Sequence, residues 1–242
     1  MTARPSSRTP PPDTVGALAV SARRLTAGGD RSGSAGSGGD LHGVVDTPFG
    51  TRLVIGDVMG KGREGARTAR AVLDAWRQLA MHQSSLEVLA VRLHSLVVHS
   101  AEPDRFVTAA LLTVAPDGSA DLVCCGHPPP LLIRGGGAVP AAVPAPAPPL
   151  GLLDLAQGWC AAQPVPARAW DRMLLHTDGV SEARDGDGAF YPLAERATEL
   201  AARPLAAFTA ALAADLMHHA RGRLQDDATL LAVETAPGLP RT

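Results

Sequence analysis

The sequence predicts an α+β protein built on antiparallel sheets, and three observations carry that expectation. Short apolar runs come in groups, not in the strand–helix alternation of a doubly wound parallel sheet. A pair of long helical stretches separates the first group from the second, as a helical layer laid over a sheet would require. Apolar runs end repeatedly in aspartate, the pattern of buried strands that each deliver a carboxylate at one end.

Taken in order, residues 1–14 are polar and proline-rich and are expected to form a disordered tail, leaving 15–236 as a single domain. Residues 15–25 read as a mixed apolar strand, and 27–40 (AGGDRSGSAGSGGD) as a Gly/Ser-rich loop. Residues 51–55 are a short apolar run closing on Gly56-Asp57. Ala66, Ala69, Val72, Leu73, Trp76 and Leu79 recur at helical spacing with one buried face, predicting a helix over 64–80. A second helix starts at Ser84, where Ser84 and Glu87 make a capping box, and buries Leu86, Leu89, Leu93 and Val97.

Strands over 106–114 and 120–125 flank an Asp117-Gly118 turn, Pro128-Pro129-Pro130 interrupts, and a strand resumes over 131–134. Residues 135–149 (GGGAVPAAVPAPAPP) are a low-complexity insertion within the domain, expected to be mobile like 27–37. A strand over 172–177 ends at Asp178, helices follow near 193–203 and 205–223, and the last strand, 228–234, comes directly after Asp226-Asp227.

Bulk properties exclude several functions. A hydrophobic content of 45% with 19% charged residues supplies a core, which only 3% aromatics forces onto Ala, Leu and Val. The net charge of −2 gives no footprint for nucleic acid or an anionic membrane. Apolar runs fall short of the roughly 18 residues a membrane span needs, and residues 1–13 lack a signal-peptide core. Cys124, Cys125 and Cys160 are a poor disulfide framework and read as core residues of a reducing, cytoplasmic compartment. Of the 22 basic residues only Lys61 is a lysine, in Gly60-Lys61-Gly62; a functional role and chance survival in an arginine-biased sequence both stand.

Four acidic loci sit beside glycine or at the end of an apolar run: Gly38-Gly39-Asp40, Asp57-Val58-Met59-Gly60, Thr177-Asp178-Gly179 and Asp226-Asp227-Ala228. One Asp-Gly alone is ordinary turn chemistry. Four together suit hard cations, because Mg²⁺ and Mn²⁺ prefer oxygen ligands, whereas zinc asks for His or Cys at a spacing not found here. Two such ions about 3.5–4 Å apart can lower the pKa of a bridging water and clamp a phosphoryl group, so no nucleophilic side chain is needed. Competing chemistries have less support. No Gly-x-Ser-x-Gly elbow occurs. The run from Gly56 to Gly62 lacks the spacing of a phosphate-binding loop and the Ser/Thr after its lysine. His127, in a proline-bounded turn, reads as a structural hydrogen-bonder.

In order, Gly38-Gly39-Asp40, IGDVMGKG (55–62), FVTAALLTV (106–114), CGHPPPLLI (125–133), Pro149-Leu150-Gly151, HTDGVSEA (176–183) and DDATLLAV (226–233) resemble the metal-dependent protein serine/threonine phosphatases, the PPM family. The similarity is to their bacterial, SpoIIE-like branch and covers roughly residues 17–235. It implies a four-layer α-β-β-α sandwich of two antiparallel sheets flanked by helices, and a centre holding two Mn²⁺ or Mg²⁺ ions. Carried over motif by motif, Asp57 would bridge the metals, with the Val58 carbonyl facing the second. Asp178 and Asp226 would hold the first metal and Asp40 the second, directly or through water, with Gly39, Gly60, Lys61, Gly179 and Asp227 in support.

The resemblance also implies a phosphoprotein substrate, a phosphorylated anti-sigma-factor antagonist, with control by expression or a separate regulatory protein. Three departures stand out. Leu41-His42-Gly43 replaces an aromatic pair and a second Asp, Met59 takes the place of a histidine found in eukaryotic members, and no N-terminal sensory module is expected. The first of these supports an alternative, a catalytically silent module of the same fold that binds phosphoproteins.

Overall fold

A computed structural model describes residues 13–27, 38–60, 62–100, 105–157 and 159–235. Its strands are β1 (Asp13–Val15), β2 (Leu18–Leu25), β3 (Leu41–Thr47), β4 (Gly50–Val58), β5 (Val107–Val114), β6 (Ala120–Cys125), β7 (Leu131–Arg134), β8 (Gly137–Pro140), β9 (Gln163–Val165), β10 (Arg172–His176) and β11 (Ala228–Thr235). Its helices are α1 (Gly62–His82), α2 (Leu86–Val98), α3 (Asp178–Ser181), α4 (Leu193–Leu200) and α5 (Leu205–His219). The strands form a six-stranded sheet, β1-β2-β11-β10-β7-β8, and a five-stranded sheet, β3-β4-β5-β6-β9. All their ladders are antiparallel.

Three apolar layers alternate with the secondary structure and make the four-layer sandwich. Along β4, Leu53 and Ile55 face the other sheet while Val54 faces α1 and α2. Along β10, Met173 and Leu175 face inward between the sheets while Leu174 packs against Phe208 and Leu212 of α5. The central strands are therefore buried on both faces, which is why they read as continuous apolar runs and not as strict alternation.

Several elements differ from the expectation. Asp13 and Thr14, placed in the tail by composition, pair with β2 in a short edge strand. β3 was not foreseen, because LHGVVDT is an edge strand of intermediate burial carrying His42, Gly43 and Asp46. The α2 cap lies one residue later than predicted: Ser85, not Ser84, accepts from the Val88 amide (3.1 Å), and its hydroxyl donates to Glu87 (2.8 Å). Residues 135–149 are anchored and not loose. Gly137–Pro140 pair with β7, Ala141 N–H donates to the Pro130 carbonyl (2.8 Å), and Ala147 bridges to Cys124 and Gly126 (3.0 and 2.8 Å). Alanines small enough to be buried, at 141 and 147, make this possible. Of the predicted loop 27–37, residues 28–37 lie outside the described residues, as does Lys61.

Arg52, on β4 and 1% exposed, fixes the helical layer to the sheet. Its guanidinium donates to the Ala80, Gln83 and Ser84 carbonyls at the end of α1 (2.9, 2.5 and 2.8 Å), groups that no further helical turn can satisfy. Arg52→Leu strands those acceptors and is expected to cost about 3 kcal/mol, lowering the melting temperature by roughly 6–12 °C. A loss under about 2 °C in a thermal melt would contradict this role.

Candidate metal-binding site

The aspartates meet at one end of the sandwich because strand ends from both sheets meet there. Asp57 is the penultimate residue of β4, and Asp40 immediately precedes β3, whose Leu41 pairs with Gly56. Asp178 opens α3 just after β10, and Asp226 lies two residues before β11; His176 pairs with Leu230, so these two ends are neighbours. Asp57, Val58, Gly38, Gly39, Gly60, Asp226 and Asp227 line one cavity of about 270 Å³. Asp178, Gly179, Glu182, Gln225 and Asp226 line another of about 260 Å³. Asp226 belongs to both.

Asp40 lines neither cavity and lies buried beside Asp57, at 5% exposure. Its Oδ2 accepts from the Thr177 hydroxyl (3.1 Å) and the Thr229 hydroxyl (2.5 Å), both on the other sheet's strand ends. Thr177 Oγ1 in turn accepts from the Thr229 amide (2.9 Å), locking β10 to β11 beside the acids. His127 makes a second tie. Its ring lies between the Thr108 hydroxyl on β5 (3.1 Å) and the His176 carbonyl on β10 (3.0 Å). The carbonyl only accepts, so Nε2 carries the proton and Nδ1 accepts from Thr108. Burial, with His176 beside it, holds this imidazole down at about 3. His127 is thus a neutral structural bridge, as its turn suggested.

Electrostatically the site is strained. Burial pushes the Asp40 carboxyl up to about 7, with the charge of Asp57 adding and the two threonine hydroxyls opposing. Burial also pushes Asp57 up to about 6, and the charges of Asp178 and Asp226 add to it. Asp227 is turned elsewhere: it accepts from Arg24 (3.1 Å) and from the Ala27 amide (2.9 Å), holding the end of β2. Two glycines permit the close packing. A Cβ on Gly39 would stand 2.5 Å from Asp57 Oδ1 and 2.6 Å from the Val58 carbonyl oxygen. A Cβ on Gly179 would stand 1.9 Å from the Asp227 carbonyl oxygen. Gly60 (φ +98°) turns the chain from β4 into α1, beside the exposed Met59.

The donor chemistry fits a hard divalent cation: carboxylates, the Val58 carbonyl within reach of Gly39, and no His or Cys facing the cavities. The side chains nevertheless do not close on one point. Among the described residues no group of three or more His, Cys, Asp or Glu stands where it could hold a metal ion. The structure brings Asp40 against Asp57 and sets Asp178 and Asp226 close enough to perturb Asp57, while Asp227 faces Arg24. Sequence reasoning missed Thr177, Thr229, Arg24 and Glu182; only the position of each threonine beside an acidic locus hinted at the first two.

A folded-state pKa raised above the ordinary 3.8 means the native protein holds its proton more tightly than the unfolded chain. The contribution of Asp40 is therefore full below about pH 4 and is lost as pH rises towards about 7. In EDTA, the melting temperature should fall across this window for the wild type and fall less for Asp40→Asn. Parallel curves would contradict the assignment.

The sequence profile of the Stage II sporulation protein E (SpoIIE) family matches residues 47–236, well over half of the chain. No curated protein is similar enough in sequence to count as a relative. The RsbU and RsbW domains of Rv1364c from Mycobacterium tuberculosis superpose with a TM-score of 0.75 at 23% identity, over 95% of this chain and 62% of that one. The PP2C phosphatase domain of SpoIIE from Bacillus subtilis, with a fragment of its regulatory domain, gives 0.74 at 14% identity, over 90% of this chain and 62% of that one. The catalytic domain of the serine/threonine protein phosphatase PstP, in complex with two manganese ions, gives 0.62 at 18% identity, over 90% and 97%. The chain thus spans about three-fifths of the first two structures, and at these identities the likeness shows the PP2C fold. No helix among the described residues is long and apolar enough to cross a membrane. By the match over residues 47–236 and the fold built around its aspartates, the chain belongs to the SpoIIE family of PP2C-type domains.

Proposed function

We propose that the protein hydrolyses phosphoserine or phosphothreonine on a protein substrate, using two Mn²⁺ or Mg²⁺ ions held by Asp40, Asp57, Asp178 and Asp226 with the Val58 carbonyl. The observation that carries this reading is Asp57, raised to about 6 in a cavity it shares with Asp226, at the meeting point of both sheets. Like charges so close are unfavourable without a counter-charge, and divalent cations supply it. When bound, such ions lower the pKa of water and neutralise phosphoryl charge. The PstP domain, of the same fold, is seen with two manganese ions.

Within this scheme the chain's own residues position and balance. Thr177 and Thr229 fix the Asp40 carboxyl, and Arg24 draws Asp227 away from the cluster, where it supports and does not ligate. Met59, 41% exposed at the rim, offers no proton, so protonation of the leaving group falls to metal-bound water or to another group. The altered Leu41-His42-Gly43 segment, which favours the silent-module alternative, has a packing cause: Leu41 is buried in the helix–sheet core, and a Cβ on Gly43 would stand 2.7 Å from the Trp76 ring. The substrate is proposed from the resemblance to be a phosphorylated anti-sigma-factor antagonist in the cytoplasm, under a separate regulatory protein.

Hydrolysis of p-nitrophenyl phosphate should require Mn²⁺ or Mg²⁺ and stop in EDTA. Full activity in a metal-free preparation, with the protein folded, would overturn the proposal. Asp57→Asn and Asp178→Ala should each lose more than tenfold in rate, at least about 1.4 kcal/mol, while remaining folded. Gly39→Ala should behave alike, because its methyl group would displace the Asp57 carboxylate. Retention of more than about a tenth of the rate removes that residue from the site.

A further inference from the structure

Helix α1 leaves the rim of the site with a basic exposed face: Arg63, Arg67, Arg70 and Arg77 stand against Glu64 and Asp74. Two of these, Arg70 and Arg77, line a groove of about 370 Å³ whose opposite wall holds Arg24, Asp40 and His42. The groove reaches Gly38, which also lines the cavity of Asp57 and Asp226, so the two spaces are contiguous along that residue. Its charges are unevenly balanced. Arg24 is paired with Asp227 at 3.1 Å and Arg77 with Asp74 at 3.0 Å. Arg70 is exposed and has neither an ion pair nor a hydrogen bond among the described residues.

We propose that this groove is a docking subsite for acidic side chains flanking the phosphorylated residue of a protein substrate, with Arg70 as the main contact and Arg77 beside it. The proposal rests on the phosphatase reading and refines its substrate class. A phosphorylated loop with its phosphate at the aspartate cavity can lay its neighbouring residues on one side across Gly38 and against α1. Carboxylates on that side meet planar guanidinium groups suited to two parallel hydrogen bonds. On the other side Asp178, Glu182 and Asp226 outnumber Arg184, so carboxylates there are less favoured. The asymmetry would fix the direction in which a chain crosses the site, which is how charge contributes specificity more than affinity.

Two labelled phosphoserine peptides of equal length test this, one with glutamate and the other with glutamine at the flanking positions. Their binding to the full chain is read by fluorescence anisotropy with Mn²⁺ present, the phosphoserine being replaced by its non-hydrolysable phosphonate so that turnover plays no part. The glutamate peptide should bind roughly three- to tenfold tighter at low salt, with the difference shrinking as salt is added. Arg70→Glu should abolish the preference, Arg77→Glu should reduce it, and Arg70→Lys should keep part of it. With Mn²⁺ present, Arg70→Glu should raise KM for the glutamate peptide and leave p-nitrophenyl phosphate turnover unchanged. Equal binding of the two peptides, or a preference that survives both charge reversals, overturns the subsite. Absence of p-nitrophenyl phosphate turnover in the wild type would instead sink the phosphatase reading, and the anisotropy would still decide the groove.

Discussion

The structure depends on one buried contact, the Asp40 carboxylate accepting from the hydroxyls of Thr177 and Thr229. Asp40 leads into β3 and is carried by the five-stranded sheet, whereas the threonines belong to the strand ends of the six-stranded one. Their hydrogen bonds therefore close the sandwich at one end and fix the spacing between Asp57 on one sheet and Asp178 and Asp226 on the other. His127 repeats the tie a short distance away, from Thr108 to the His176 carbonyl. Apolar packing between the sheets sets their separation, and these polar contacts set their register at the site.

The same contact shows where function and stability diverge. A buried carboxyl raised to about 7 next to another raised to about 6 destabilises the fold at neutral pH. Three apolar layers and the Arg52 clamp on α1 offset that conflict elsewhere in the molecule. Proteins keep such local violations where chemistry needs them. Neighbouring arginines follow the same division of labour: Arg24 neutralises Asp227, while Arg70 on α1 is left for a ligand.

What was legible in the sequence follows from burial. β4, β5, β10 and β11 are covered on both faces, so apolar runs marked them without ambiguity. β3, β8 and β9 lie at or beside sheet edges, where half-exposed positions tolerate His, Gly, Pro and Gln, and no periodicity betrayed β3 or β9. The alanine- and proline-rich insertion looked loose because composition does not reveal which backbone groups find partners. In the site, glycine beside aspartate was visible, since close approach excludes a Cβ at Gly39 and Gly179. The hydroxyls that hold Asp40 come from 137 and 189 residues away, and a threonine next to an acid carries no mark of that partner. Asp226 and Asp227 are adjacent in sequence yet divide, one lining both cavities and the other bound to Arg24.

The central claim is that these aspartates form a two-cation site, and an electron paramagnetic resonance titration with Mn²⁺ tests it most directly. In wild-type protein the six-line signal of free Mn²⁺ should stay suppressed until about two equivalents have been added. Asp57→Asn should release that signal from the first additions. Free signal from the start in the wild type, or the same uptake in the Asp57→Asn variant, would contradict the account.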